Sequence, residues 1–443
     1  MQLLGDLALL AASTIGDWRR FGDPRFRTYH YLAVAQGVVA VLASFDVIIP
    51  FALSIGCPPF LAVLLGAIPL VGGVAQLIVP RLLDRTNGNL RGLTLFVALI
   101  SEPRGLWLAG LAALIASGAV TGPAALAVLI AIISLTSILT SIVGANLLAW
   151  HSAVLPEPDR RLVVPRLMAV SLSIGALLLL PLAAVLDGLV HAVGPLAYAL
   201  PFAISGTFGL VEIYVLRRLR HPGRVIVPPR ATASPAETSP ELSRFLRVST
   251  INATGMGLGP SMSVFIISVL GMSAGFSVMV SSIGTLTQVF AAVIAGTRLE
   301  RGSSSRLLRS SFGIRALAMT TPLFVFPVPA LAPVFLISSS MLGAVGFVFG
   351  SLAANEKMFR LITGPAVIRQ HARYLAWTSG AMTGGQVASA AVIAVAGPFG
   401  YPAFALLYSG SALLRVVAYR QAAPSVITAP PMAAAEAGAS VAA

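Results

Sequence analysis

The sequence predicts an all-α integral membrane protein, with twelve transmembrane helices arranged as two six-helix, pseudo-symmetric halves. Three observations carry that expectation. Of 443 residues, 57% are hydrophobic and only 10% charged, where a soluble domain carries about 25% charged residues, and the mean hydropathy is +0.91. The apolar residues fall into runs of the ~20 that a helix needs to cross a bilayer. The basic residues alternate from loop to loop in step with those runs. Soluble enzymes, disulfide scaffolds and disordered chains are thereby excluded. Cys57 is the single cysteine, and the alternating apolar/polar strands of a membrane barrel do not occur.

The elements follow in order. Residues 1–28, a short apolar stretch broken by Asp6 and Asp17 and ending in Arg19, Arg20, Arg25 and Arg27, read as a cytoplasmic segment without a cleavable signal. Spans are expected at 30–53, 58–79, 93–117, 122–148, 165–186 and 194–215, and again at 247–270, 273–297, 308–327, 331–354, 373–396 and 398–418. With the N-terminus inside, every second loop is basic: Arg81, Arg85 and Arg91; Arg160, Arg161 and Arg166; then the cluster from Arg217 to Arg247. The second half continues with Arg298 to Arg315, Lys357 to Arg373, and Arg415 with Arg420. Of 29 basic residues, 28 fall on this face and Arg104 is the exception. A miscounted helix would scramble the alternation. Both termini are therefore expected in the cytoplasm, and the net charge of +14 reads as orientation in the membrane rather than as affinity for nucleic acid.

The longest internal loop, 217–246, begins as RRLRHPGR and turns Pro/Ser/Ala/Glu-rich, the composition of a flexible linker. It separates an N-terminal half, 29–216, from a C-terminal half, 247–420; residues 421–443 read as a disordered cytoplasmic tail. The halves share spacing. Asn146, Pro156 and Arg160 recur 209 positions later as Asn355, Pro365 and Arg369, GPLAY from Gly194 recurs at offset 203 as GPFGY, and Leu83-Asp84-Arg85 maps onto Leu299-Glu300-Arg301 at offset 216. Three matches in the same order and at equivalent topological positions indicate an internal repeat.

The segment PRLLDRTNGNLRG from Pro80 resembles the Gly-x-x-x-Asp-Arg-x-Gly-Arg-Arg motif of the major facilitator superfamily, with Asp84, Arg85, Gly88 and Arg91 at or near its positions and Pro80 where the leading glycine stands. WHSAVLPEPDRRLVVPR from Trp150 resembles the loop between the family's helices 4 and 5. The resemblance covers residues 28–420. It implies two parallel six-helix repeats rocking about a central site, helices 1, 4, 7 and 10 around the cavity, and gating by Asp84, Arg85 and Arg91 with the repeat partners Glu300 and Arg301. Asn146 and Asn355, near the inner ends of helices 4 and 10, are expected to share a gating or packing role. The membrane arginine of helix 4 and the Gly-Pro-x-x-Gly-Gly of helix 5 that mark drug–proton exporters are absent, which weighs against that subclass.

Ionisable groups inside spans are functional candidates because a charge at the bilayer centre costs about 2.5–3.5 kcal/mol on insertion scales. Glu102 and Arg104 flank Pro103 within helix 3, with Arg104 expected as an anion anchor and Glu102 as its partner or a proton carrier; mutual neutralisation that braces the bundle is the alternative. Asp46 in helix 1 is a second candidate proton carrier, or a solvated acid near the headgroups. Gln36 and Asn252 are expected as substrate contacts, each with an interhelical hydrogen bond as its alternative. Glu212, five residues before Arg217, is expected at the interface among basic loops. Gly255, Gly257, Gly259 and Pro260 mark a hinge or a close packing face.

Enzymatic readings find no support. His30, His151, His191, His221 and His371 are scattered, and no HExxH, GxSxG or Walker A motif occurs. The expectation is a secondary active transporter of a small molecule in the cytoplasmic membrane, driven by protons, another ion or the substrate gradient alone, with export favoured over uptake. No cofactor, metal or nucleic acid is expected, and the chain is expected to act as a monomer in the lipid bilayer. A sensor or a lipid scramblase on the same scaffold is the alternative.

Overall fold

A computed structural model describes residues 22–221, 240–259, 261–300, 304–361, 367–396 and 400–422, and every regular element within them is helical. The helices form twelve antiparallel rods. α1 is Arg27–Leu42 continued by Phe45–Ser54; α2 is Pro59–Ala75 continued through Gln76–Ile78 into Val79–Arg85; α3 is Leu90–Ser101 and Arg104–Ala116. α4 spans Gly122–Val154, α5 Glu157–Val193 and α6 Ala199–Arg218. In the second half α7 is Pro240–Leu258, extended by Met262–Val264 and a π turn at Phe265–Val269; α8 is Ala274–Glu300 and α9 is Ser304–Thr320 with Thr321–Val325. α10 is Ala332–Leu361, α11 Val367–Ala396 and α12 Tyr401–Gln421.

Nine stretches among the described residues are long and apolar enough to cross a bilayer. One of them, Arg166–Arg218, turns back at Gly194 and holds two crossings, α5 and α6. The remaining crossings are α7, whose first half is polar, and α9, whose α-helical part is 17 residues long and carries Arg306, Arg309 and Arg315. The expected twelve helices are therefore present. Large apolar side chains such as Phe96, Leu177, Phe290 and Val395 lie on the outside, where acyl chains rather than water must cover them. The chain is a multi-pass membrane protein.

Of the expected linker 217–246, helix α6 takes the first residues and α7 begins at Pro240; residues 222–239 lie outside the described residues, as do 1–21 and the tail beyond Ala422. The turn after α2 accounts for the glycine in the Pro80 segment. Asn87 and Gly88 have φ of 50° and 72°, and the Gly88 amide returns to the Leu83 carbonyl at 2.8 Å, a helix-ending arrangement that glycine adopts without strain.

The halves meet along two seams, α2 against α11 and α5 against α8. Packing differs at the two ends of the molecule. Away from the basic face, one apolar core runs through both halves and joins Phe51, Leu129 and Tyr198 to Val264, Val278, Ile393 and Phe404. At the basic face there are two cores. One, around Leu90, Trp150 and Leu216, draws all its buried members from the N-terminal half; the other, around Phe245, Leu307 and Val348, draws all of its own from the C-terminal half.

Candidate functional site

In α3, Pro103 has no amide proton and crowds the preceding turn, so the helix stops at Ser101 and a new one starts at Arg104. The break falls where α6 crosses. A Cβ on Gly206 would overlap the Leu106 amide, one on Gly209 the Glu102 carbonyl, and one on Gly105 the Phe202 carbonyl. Without side chains at those three positions the two backbones come into direct contact, the usual device for close helix crossing in lipid. Glu212 lies three residues beyond Gly209, on the same face of α6, and thereby arrives beside Glu102.

The result is a buried polar knot in the N-terminal half. Gln36 of α1 donates from Nε2 to Glu212 Oε1 at 2.9 Å, and Ser101 Oγ donates to Glu102 Oε1 at 3.1 Å. The Glu102 and Glu212 carboxyls lie within hydrogen-bonding reach of each other, and Arg104 interacts electrostatically with both. Glu102 and Glu212 are 5% and 3% exposed, while the Arg104 Nε has no hydrogen-bond partner among the described residues. One expectation changes here: Glu212 is not an interfacial acid among basic loops, because the glycine crossing pulls it inside. Gln36 makes the interhelical hydrogen bond that was its alternative role.

The C-terminal half carries a counterpart at the repeat positions. Asn252 lies 216 positions after Gln36, and Arg415 lies 203 after Glu212, the same offsets that relate Leu83 to Leu299 and GPLAY to GPFGY. Arg315 of α9 donates from Nη1 to Met256 Sδ at 2.9 Å and from Nη2 to the Phe347 carbonyl at 3.2 Å. Arg415 of α12 donates from Nη1 to the Arg315 carbonyl at 3.2 Å, and Asn252 donates from Nδ2 to Met256 Sδ at 3.6 Å. Arg315 and Arg415 are 6% and 5% exposed. Both were expected on the basic face; they sit inside the bundle instead, so Arg104 is not the lone exception to the loop alternation. A run of loop arginines followed directly by an apolar span does not mark which arginine is already inside the helix.

Asp46 lies at the end remote from the basic face and accepts a hydrogen bond from Ser281 of α8 at 2.8 Å, tying the two halves together. Asp187 of α5 does the same with the Gly275 amide at the start of α8, also at 2.8 Å. Sequence reasoning passed over Asp187, Ser281, Arg315 and Arg415. Between the halves at the basic side a crevice of ≈ 870 Å³ lies among α2, α7 and α11, walled by Leu77, Thr250, Thr254, Trp377, Gly380 and Gly384.

The remaining candidates are distributed as follows. Asp84 and Arg85 are exposed at the end of α2, and Arg91 donates from Nη2 to the Arg217 carbonyl at 2.7 Å. Arg301 and the Glu300 side chain fall outside the described residues. Asn146 is fully buried, with both amide atoms unpartnered among the described residues, whereas Asn355 is exposed, so the two repeat positions have different surroundings. In α7, Gly257 packs against the Met382 backbone and Gly255 against Ser411 and Arg415, and the helix breaks after Leu258; close packing and a break coexist there.

No family model matches the chain, and no curated protein sequence is found to be similar to it. Solved structures are. A point mutant of the nucleoside transporter NupG aligns over 89% of this chain and 98% of its own at a TM-score of 0.64 and 13% identity. A D-xylose-proton symporter aligns over 89% and 95% at 0.63 and 12%, and a point mutant of the E. coli fucose:proton symporter FucP over 90% and 97% at 0.60 and 10%. What is shared at such identities is the fold. The chain has the twelve-helix, two-half fold of major facilitator transporters, as the segment from Pro80 implied.

Proposed function

We propose that the protein is a secondary active transporter that carries a small molecule across the membrane by alternating access. The observation behind this reading is the asymmetry of packing along the membrane normal: one apolar core joins both halves at one end, while two separate cores flank a crevice at the other. Rocking the halves about the α2–α11 and α5–α8 seams would exchange the two arrangements. The neighbours in fold carry nucleosides and sugars, two of them together with protons, and the crevice is within the ~300–1,000 Å³ of small-molecule sites. With the basic face in the cytoplasm, the crevice opens where an exporter loads and an importer releases; export is the direction we assign, and the sign of the flux tests it.

We assign proton coupling to Glu102 and Glu212. Two carboxyls in mutual contact hold one proton more readily than two negative charges, and Arg104 beside them offsets the charge that remains. Asp46, bound across the halves, is the group whose partner must be given up when the remote end opens. Asp84, Arg85 and Arg91, with Glu300, Arg301, Asn146 and Asn355, are assigned to gating at the basic face.

The reading is tested in proteoliposomes with an imposed pH gradient, screening labelled solutes for flux, with Glu212→Gln alongside. Flux driven by the gradient in the wild type, and reduced to gradient-independent exchange in Glu212→Gln, supports the reading. Lipid scrambling without solute flux would replace it with the scramblase alternative.

A further inference from the structure

The N-terminal knot can balance its charge internally, because two carboxyls that share one proton carry a single negative charge against one guanidinium. Its C-terminal counterpart cannot. Arg315 and Arg415 bring two guanidiniums together in the bundle, and between residues 247 and 420 the sequence contains only two acidic residues, Glu300 and Glu356. Both lie near the basic-face ends of their helices. Among the described residues, the electrostatic neighbour of Arg315 is Tyr374 and that of Arg415 is Arg315, with no carboxylate at either. Burying an unpaired charge is strongly unfavourable, and here two are buried close together.

The hydrogen bonding is incomplete as well. Arg415 Nε and Asn252 Oδ1 are buried without a partner among the described residues, and Arg315 spends one amino group on a thioether, a weak acceptor. Gly346 and Gly350 of α10 run along the Arg315 side chain and leave it room. Phe347, whose ring centre lies 5.6 Å from the Arg315 guanidinium carbon, is exposed, so the charge sits one side chain below a surface. Uncompensated cationic charge, an unused Arg415 Nε–H donor and an Asn252 amide group held only by a thioether, beside an exposed ring, describe a receptor for an anion.

We infer that Arg315 and Arg415, with Asn252, form a binding site for a carboxylate- or phosphate-bearing solute, the anionic group of the transported molecule. The inference deepens the transport reading and rests on it for the word "transported". It divides labour across the repeat: the N-terminal knot takes the proton and the C-terminal pair takes the anion. The Arg104 anchor expected from sequence is then replaced, because Arg104 already faces two carboxyls.

The test is thermal unfolding of the full-length protein in detergent at constant ionic strength, with sodium benzoate or sodium phosphate titrated against sodium chloride, and benzyl alcohol as the uncharged control. Either anion, but not the alcohol, should raise Tm in a saturable way; which of the two does so assigns carboxylate or phosphate. Arg315→Gln and Arg415→Gln should each weaken the apparent affinity about tenfold or more, as expected for the loss of a hydrogen bond to a charged group. Met256→Glu supplies a built-in carboxylate beside Arg315; it should raise Tm without added anion and abolish the anion response. A purely structural role for the arginines would not produce that exchange. The inference is overturned if neither anion shifts the wild type, or if the shift persists in Arg315→Gln. Flux in proteoliposomes with no anion response would sink this inference alone, whereas an anion response without flux would sink the transport reading and leave the site.

Discussion

Asp46→Ala removes the carboxyl that ties α1 to α8 at the end remote from the basic face. The bond it makes, Ser281 Oγ to Asp46 Oδ1 at 2.8 Å, joins the two halves only in the arrangement where that end is closed. Its loss therefore destabilises the closed arrangement relative to the open one. A hydrogen bond of this kind contributes about 1–3 kcal/mol, which converts to an increase of about 5- to 150-fold in the open-to-closed ratio. The apolar core that spans both halves at this level remains, so the protein should stay folded. The assay is the distance distribution between spin labels at Ala119 and Val328, exposed positions on opposite halves beyond α3 and α9, in a Cys57→Ser background. Asp46→Ala should populate a longer distance at the expense of the shorter one. Ser281→Ala should do the same, and the double variant should add little, with a coupling of about 1 kcal/mol between the two sites. Unchanged distance distributions in both single variants, or strictly additive shifts, would refute the assignment of this pair as a closure contact.

Other expectations follow from the same packing. Asp187→Ala leaves the Gly275 amide without its side-chain acceptor and should shift the same spin-label distances, with a cost near the ~1 kcal/mol of a lost helix cap. Gly209→Leu places a side chain against the Glu102 carbonyl; it should lower stability by about 1–3 kcal/mol, measured by unfolding in detergent, and remove gradient-driven flux by separating Glu212 from Glu102. Gly110→Ala, in α3 with nothing within 4 Å of the added carbon, should be neutral or stabilise by up to about 1 kcal/mol.

The number of helices was legible because each crossing must satisfy its own backbone inside lipid, which forces a long apolar run, and because loop arginines follow topology. The repeat was legible too, since both halves kept turn residues at matching intervals. The break in α3 could be read from Pro103, and the turn at Gly88 from its local sequence. Those are properties of contiguous segments. The partners of buried polar residues were not legible. Glu212 looks interfacial when counted from Arg217, and only the crossing of Gly209 over the Glu102 backbone moves it inside. Arg315 and Arg415 look like the edges of basic loops, and only the packing of α9, α10 and α12 buries them.

By itself, then, the sequence determined that this chain crosses a membrane twelve times as two related halves, through hydrophobicity, charge and spacing, each a sum over neighbouring residues. Tertiary structure alone decided that the acids of one half and the arginines of the other are buried inside the bundle, and which end of the molecule is closed. Those outcomes depend on contacts such as Gln36 with Glu212 and Asp46 with Ser281, residues 176 and 235 positions apart. No local pattern encodes a pairing over such distances, because it is set by where two helix faces meet.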